Sequence, residues 1–268
     1  MAEPERGFLM SLTPYADAND LLRLLIARQQ VVFGAKLIGV YLYGSLAWGD
    51  FDRDSSDIDL LAALDSDITE AEAESIRQMH EAIAREYPVW NDRIEVQYYA
   101  REGLRHYRTQ SRRMGNISPG EPFHVIEAGA DWLSNWYAVR TYGLALLGAP
   151  PDTLIDPISA AEFQQVVRLY AEEWRERIHE TRDWPGAQAY AVLTLCRALY
   201  TLRSGEQVSK PQAAQWAAAQ WPEWAELLHH ALLCRRNPAQ PRFTFAEAVA
   251  FVGFMLEKIA AEPASAGG

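Results

Sequence analysis

Two aspartates interrupt an otherwise apolar segment of the chain. Asp57 and Asp59 lie two residues apart, and apolar residues continue to Leu64. In an extended strand the side chains alternate between two faces, so both carboxylates lie on one face while Ile58 and Leu60 lie on the other. Neighbouring carboxylates repel each other and are costly to desolvate unless a cation compensates them. Oxygen ligands at this spacing suit Mg²⁺, which also binds phosphates. The segment therefore predicts a core strand that positions a magnesium-bound nucleotide.

The composition is that of an acidic globular protein. The 268 residues are 49% hydrophobic, enough for a sizeable core, and the formal net charge is −11. No apolar run approaches the roughly 18 residues of a membrane span, and the N-terminus lacks the pattern of a secretion signal, so we expect a cytoplasmic protein with no membrane partner. The negative charge argues against a nucleic acid partner and favours small cationic partners. For the oligomeric state we expect a monomer.

The first part of the sequence mixes helix and strand patterns. Amphipathic spacing, a capping box at Thr69 and Glu72, and short alternating or apolar runs indicate the elements. The predicted elements are a helix over 15–32, a strand over 37–43, a strand from Asp57, a helix from about 69 to 87, and a strand over 93–99. This order predicts an α/β domain with a mixed sheet over residues 1–125.

Helical spacing dominates the second part of the sequence. Helices are predicted over 130–147, 160–181, 187–204, 211–220, 222–236 and 245–261, with capping boxes at Ser159 and Thr244. These predict an all-helical domain over residues 126–262, which makes the whole chain an α+β protein. The last residues, 263–268, contain no large apolar side chain and are expected to be a disordered tail.

A glycine and a serine follow the first predicted strand. Gly44 permits a tight turn, and Ser45 with the following amides can bind phosphate oxygens where a short helix begins. Glu95 lies on the next predicted strand, in a pattern that alternates polar and apolar residues. A phosphate-binding turn beside three carboxylates predicts a magnesium–triphosphate site. The chemistry that suits it is nucleotidyl transfer, in which the third carboxylate, Glu95, removes a proton from the attacking hydroxyl.

These features resemble a known family. The turn at Gly44, the paired aspartates and the later Glu95 are similar to the pattern of the nucleotidyltransferases of the DNA polymerase β superfamily. Residues 192–205 and 208–217 resemble the helical domain of the streptomycin and spectinomycin adenylyltransferases. The resemblance implies an N-terminal nucleotidyltransferase domain and a helical C-terminal domain that contacts nucleotide and acceptor, with ATP as substrate and Mg²⁺ as cofactor.

Matching positions in the resemblance imply individual roles. Phosphate contacts fall to Gly44, Ser45 and Ser56, magnesium ligation to Asp57 and Asp59, proton removal to Glu95, and triphosphate contacts to Arg197 and Lys210. Each position also has a structural interpretation. The aspartates fit an Asx turn or a solvated edge strand, Glu95 fits the wet face of a strand, and the two cations fit an exposed helix surface.

The acceptor region departs from the family pattern. Where the streptomycin enzymes carry an acidic stretch, residues 182–188 retain Asp183 as the remaining counterpart. Trp132 can stack on a sugar ring, so Asp183 and Trp132 are the candidate acceptor contacts. The resemblance implies transfer of AMP from Mg-ATP to a hydroxyl of an aminoglycoside-type antibiotic, a small polycationic acceptor, with release of pyrophosphate and hence antibiotic resistance. The alternatives are transfer to another antibiotic or to a protein hydroxyl, and a catalytically silent regulatory protein.

Overall fold

The computed structural model describes residues 13–237, 239 and 241–263, which form two compact units. The first contains the described residues up to Phe51 together with Ser56–Pro157, and the second contains Asp52–Ser55 together with the described residues from Ile158 onward. Each unit has its own hydrophobic core. The tail predicted over 263–268 lies outside the described residues, apart from Pro263.

The first unit combines strands and helices. Its elements are α1 (Ala16–Phe33), β1 (Leu37–Tyr43), α2 (Gly44–Trp48), β2 (Ile58–Leu64), α3 (Glu70–Glu86), β3 (Ile94–Ala100), α4 (Arg101–His106), β4 (Arg112–Ser118), β5 (Glu121–Ala128), α5 (Leu133–Tyr142) and β6 (Leu144–Gly148). The capping box predicted at Thr69 and Glu72 is confirmed at the start of α3.

The six strands form one mixed sheet, as predicted. Their order is β5-β4-β3-β2-β1-β6. β2 and β3 are parallel, and every other neighbouring pair is antiparallel. A parallel pair needs a long crossover connection, which α3 supplies. β1, β2 and β3 are therefore inner strands, and the edge-strand interpretation of the aspartates is excluded.

The two faces of the sheet differ in character. On β2 and β3 the even-numbered residues are buried, and those from Ile58 to Tyr98 belong to the core that α1 and α3 complete. The odd-numbered residues lie on the opposite face, because side chains alternate along a strand. Tyr43, Asp59 and Glu95 belong to that opposite face. The period of the strands thus gathers polar groups on one side of the sheet.

Three strands lie beyond those that the sequence predicted. β4 and β5 form a hairpin, and β6 pairs with β1. The boundary expected between residues 125 and 126 therefore falls within β5, and the first unit extends to Pro157. The helix predicted over 130–147 is wrong over its last five residues, because α5 ends at Tyr142 and Gly143 is extended, with φ −68° and ψ 138°. Backbone pairing with β1 outweighs the helical spacing of the residues that follow.

The second unit is helical. Its helices are α6 (Ala160–Glu180), α7 (Pro185–Ser204), α8 (Lys210–Gln220), α9 (Ala225–Arg236) and α10 (Phe245–Ala261). α7 contributes buried side chains along its whole length to the core of this unit. Proline at its first position and left-handed Gly205 after its last residue set its ends. Together with the sheet, these helices confirm the predicted α+β class. Across the described residues, no helix is both long and apolar enough to span a membrane.

Candidate active site

The paired aspartates lie where β2 begins. Asp57 directly precedes the strand, and Asp59 is its second residue. Burial alternates along this segment, since Ile58 and Leu60 are fully buried while both aspartates are partly exposed. The start of β2 and the residue before it therefore hold the two carboxylates away from the core that lies against α1 and α3, as the sequence pattern predicted.

Glu95 lies beside the aspartates in the sheet. β2 and β3 pair in register, with Asp59 directly opposite Glu95. Neighbouring strands lie about 4.8 Å apart, so directly opposite residues present their side chains next to each other on one face. Glu95 is partly exposed, between buried Ile94 and Val96. The structure therefore brings together Asp59 and Glu95, and places Asp57 two residues before Asp59.

The backbone at Gly44 makes room for the Asp59 carboxylate. Gly44 begins α2 with φ +68°, in the left-handed region that favours glycine. A Cβ atom on Gly44 would lie 1.9 Å from Asp59 Oδ2 and 2.6 Å from its Cγ. Asp59 thus packs against the bare Cα of the turn that was predicted to bind phosphate. Ser45 follows, partly exposed, as the second residue of α2.

Arg93 holds the backbone next to Asp57. Its Nε and Nη2 atoms donate to the carbonyl oxygen of Ser56, at 3.1 and 2.7 Å. The guanidinium also lies 4.9 Å from the ring centroid of Trp90. Ser56 itself is fully buried. Of the two serines assigned to phosphate, the partly exposed Ser45 is therefore the better placed for direct contact, whereas Ser56 anchors the start of β2.

Four polar side chains near Glu95 were not singled out in the sequence. Tyr43, Gln97, Asn116 and Asn135 come from β1, β3, β4 and α5. Gln97 is fully buried, and its neighbour Glu95 lies two residues earlier on the same face. The Tyr43 hydroxyl donates to Gln97 Oε1 at 2.7 Å. A polar residue in a buried strand, such as Gln97, is a signal that sequence reading can detect. The other three depend on strand register and helix packing.

Burial and charge determine the state of the Tyr43 hydroxyl. The pKa of Tyr43 is raised well above its ordinary value of 10.0, mainly because the side chain is buried and further because Glu95 and Asp59 carry negative charge nearby. Tyr43 therefore remains protonated at neutral pH and acts as a hydrogen-bond donor. The Tyr43 hydroxyl lies 3.2 Å from Glu95 Oε1, and Tyr43 lies directly opposite Asp59 in the sheet.

The two aspartates fit one common way of binding magnesium. Among the described residues, no group of three or more His, Cys, Asp or Glu side chains is arranged to hold a metal ion. This agrees with an assignment in which Asp57 and Asp59 alone are the predicted magnesium ligands and Glu95 is kept as the base, and the assignment stays a prediction. Mg²⁺ usually binds one or two carboxylates together with water and substrate phosphates. Asp57 and Asp59 on one face, with the side-chain-free turn at Gly44 beside Asp59, match that requirement.

Two predicted phosphate-binding cations lie near one tyrosine pair in the helical unit. Lys210 begins α8, and its Nζ lies 4.0 Å from the ring centroid of Tyr190. The Tyr190 and Tyr170 hydroxyls are 3.4 Å apart. The pKa of Tyr170 is raised, chiefly by burial, while the positive charge of Arg197 opposes that rise. Tyr190 and Arg197 lie seven residues apart on α7, which is about two helical turns, so both project from one face of that helix.

The two candidate acceptor contacts lie in different units. Asp183 is exposed, in the short segment that precedes α7. Trp132 lies in the first unit, directly before α5, and is partly exposed. Its ring lies 6.1 Å from that of fully buried Trp136, measured between centroids. Trp132 therefore packs against the buried Trp136 ring. Because the first unit extends to Pro157, Trp132 belongs to that unit and not to the helical domain in which it was expected.

Two family models match consecutive parts of the chain. Residues 26–108 match the nucleotidyltransferase domain. Residues 153–258 match the C-terminal domain of aminoglycoside adenylyltransferase. The first match spans β1, β2 and β3 with the three carboxylates, and the second spans α6 to α9 and most of α10. Together the two matches cover more than two thirds of the sequence.

Two proteins with similar sequences and one solved structure are also adenylyltransferases. An aminoglycoside (3'') (9) adenylyltransferase from Klebsiella pneumoniae is 28% identical over 203 residues, which are 69% of this chain and 72% of the relative. The protein of that name from Escherichia coli gives the same values. The crystal structure of a spectinomycin adenyltransferase from Enterococcus faecialis, with ATP and spectinomycin, has a TM-score of 0.70, covering 90% of this chain and 98% of that one at 17% identity. At that identity the likeness establishes a shared fold.

Proposed function

We propose that this chain, which belongs to the nucleotidyltransferases with an aminoglycoside adenylyltransferase C-terminal domain, transfers AMP from ATP to a hydroxyl of an aminoglycoside-type antibiotic. The observation that carries the proposal is the register of β2 and β3, which sets Asp59 directly opposite Glu95. ATP as the donor is supported by the related fold, whose crystal structure contains ATP and spectinomycin.

The carboxylates have separate roles in the proposed reaction. Asp57 and Asp59 hold Mg²⁺, which when bound neutralises charge on the phosphates of ATP. Glu95 accepts the proton of the acceptor hydroxyl. The hydroxyl oxygen then forms a bond to the α-phosphorus, while the bond from that phosphorus to the bridging oxygen breaks and pyrophosphate leaves. Asp59 and Glu95 are suited to this division because they lie side by side on adjacent strands.

Further residues are proposed to bind ATP and the acceptor. Gly44 and Ser45 contact phosphate oxygens through the start of α2, and Arg197 and Lys210 bind the triphosphate with their positive charge. Asp183 attracts a cationic acceptor, and Trp132 offers an aromatic face to a sugar ring. Because the reaction consumes ATP, we place it in the cytoplasm. Its consequence for the cell is resistance to the modified antibiotic.

Product analysis tests the proposed function. The protein is incubated with MgCl₂, labelled ATP and a panel of aminoglycoside and aminocyclitol antibiotics, and each drug is examined by mass spectrometry. We expect at least one drug to gain the mass of one AMP unit, with pyrophosphate formed in equal amount. No modified drug despite ATP binding would overturn the proposal, and labelled protein instead would identify a protein hydroxyl as acceptor.

A matched pair of variants tests the residue assignment. Asp59→Asn removes one negative charge and keeps the shape of the side chain, so we expect transfer to be abolished while the protein still folds. The control is Asp65→Asn, directly after the other end of β2, where the carboxylate binds Arg101. We expect the control to keep the wild-type rate. Equal activity of the two variants would contradict the metal assignment.

A further inference from the structure

A buried polar network surrounds one oxygen of Glu95. Gln97 Nε2 donates to Glu95 Oε1 at 3.1 Å and to Asn116 Oδ1 at 3.3 Å. The Tyr43 hydroxyl oxygen lies 3.2 Å from the same Glu95 Oε1 and 2.7 Å from Gln97 Oε1. Asn135 Nδ2 donates to the Tyr43 hydroxyl at 3.3 Å. The network thus joins Glu95 to three strands and one helix of the first unit.

The orientation of the Gln97 amide follows from its neighbours. Its NH₂ group faces two oxygen acceptors, the carboxylate of Glu95 and the carbonyl of Asn116, and its carbonyl faces the Tyr43 hydroxyl. Turning the amide over would place its oxygen 3.1 Å from the carboxylate oxygen of Glu95, where two acceptors repel, and lose that hydrogen bond. Gln97 is fully buried, where unpaired polar atoms are strongly unfavourable. Only one orientation of the amide is therefore stable.

Tyr43 fixes that orientation from the other side. Its hydroxyl lies 2.7 Å from Gln97 Oε1 and 3.2 Å from Glu95 Oε1, so we assign its single proton to the shorter contact, while its oxygen accepts from Asn135. Tyr43 is 5% exposed and Asn116 is 3% exposed, so water does not compete freely for these bonds. The backbone registers that place these side chains, Gln97 opposite Asn116 and Tyr43 opposite Asp59, belong to the rigid sheet.

We propose that Tyr43 and Gln97 are positioning residues that hold the Glu95 carboxylate in the rotation needed to accept the proton of the acceptor hydroxyl. This inference rests on the proposed function, in which Glu95 is the base. A general base works only when it is aligned with the proton that it removes, and small displacements are costly. Donors fixed in a buried network supply that alignment before the acceptor binds.

The test compares two tyrosines of the same strand. Tyr43→Phe removes the hydroxyl that holds Gln97, and we expect kcat to fall about 10- to 100-fold, the scale found for residues that orient metal-binding side chains, with KM for ATP unchanged. The control is Tyr41→Phe. Tyr41 is fully buried on the same face of β1, but its hydroxyl donates to the carbonyl of Ala149 at 2.8 Å. We expect this control to keep the wild-type kcat.

Combining Tyr43→Phe with Glu95→Gln distinguishes a positioning role of Tyr43 from a general structural effect. In Glu95→Gln the base is absent, so we expect Tyr43→Phe to lower the residual rate no further. A merely structural role would lower the rate in both backgrounds. If Tyr43→Phe does not fold, Gln97→Met takes its place, because it removes the donor to Glu95 Oε1 and keeps an unbranched side chain of similar length.

Each outcome has a distinct meaning. An unchanged kcat in Tyr43→Phe, with transfer abolished in Glu95→Gln, would overturn the positioning role and leave the proposed function intact. Equal losses in Tyr43→Phe and Tyr41→Phe would also overturn it. Full activity of Glu95→Gln would overturn both the positioning role and the assignment of the base. Absence of transfer by the wild-type protein would overturn the proposed function and this inference with it.

Discussion

Substitution of Gly44 by alanine should separate the packing of Asp59 from backbone strain. Gly44 has φ +68°, and a Cβ there would lie 1.9 Å from Asp59 Oδ2 and 3.2 Å from its Cβ. An L-residue in the left-handed region costs about 1–2 kcal/mol. The clash adds to that cost, because Asp59 belongs to an inner strand and only its carboxylate can turn away. Gly44→Ala should therefore displace a proposed metal ligand as well as lower stability.

Gly49 provides the matched control at the other end of α2. Gly49 has φ +77°, and an added Cβ would meet no atom within 4 Å. Gly49→Ala should lose the same 1–2 kcal/mol or so of unfolding free energy and keep its rate of AMP transfer. Gly44→Ala should lose more stability, and its rate should fall about 100-fold, the scale expected when a reacting group is misplaced by about 1 Å. Urea unfolding and the transfer assay measure both quantities. Equal transfer rates in the two variants would refute the reasoning.

Three more predictions concern stability and nucleotide binding. Burial lowers the pKa of His80 from 6.5 to about 3, so below pH 6.5 the unfolded chain binds a proton that the folded chain does not. The free energy of unfolding should therefore fall by about 1.4 kcal/mol per pH unit below pH 6.5, which amounts to about 2 kcal/mol at pH 5. His80→Gln should flatten that slope in urea titrations. Arg93→Lys keeps the charge but loses the paired hydrogen bonds to Ser56, so we expect a loss of about 1.5–3 kcal/mol in urea unfolding and slower transfer; unchanged values would show that the start of β2 does not depend on Arg93. Lys210→Met should raise KM for ATP, whereas Lys258→Met, which removes another lysine lying over an aromatic ring of the helical unit, should not; equal KM values would remove Lys210 from the ATP site.

Local patterns in the sequence predicted much of the fold. Alternation around Asp57 and Glu95 identified β2 and β3, and the capping boxes at Thr69, Ser159 and Thr244 set the starts of three helices that the structure confirms. These predictions were correct because the alternation of a strand and the capping of a helix depend on residues within a few positions of each other.

The parts of the fold that the sequence did not predict depend on contacts between residues far apart in the chain. Leu144–Gly148 carries apolar residues that suit a helix or a strand, and only the open edge of β1 decides in favour of a strand. The hydrogen-bond network around Glu95 likewise depends on residues that are distant in the sequence. Gln97 follows Glu95 by two residues and was detectable, but Asn116 and Asn135 approach it only through strand register and helix packing. Sequence spacing alone contains no information on those contacts.

Crystallography with manganese tests the central claim most directly. Crystals of the protein with Mn²⁺ and a non-hydrolysable ATP analogue would reveal the ion by its anomalous scattering. We predict one ion bound by Asp57 and Asp59 and by phosphate oxygens of the nucleotide, with Glu95 beside the α-phosphate. An ion bound elsewhere, or a nucleotide whose α-phosphate lies away from Glu95, would contradict the account.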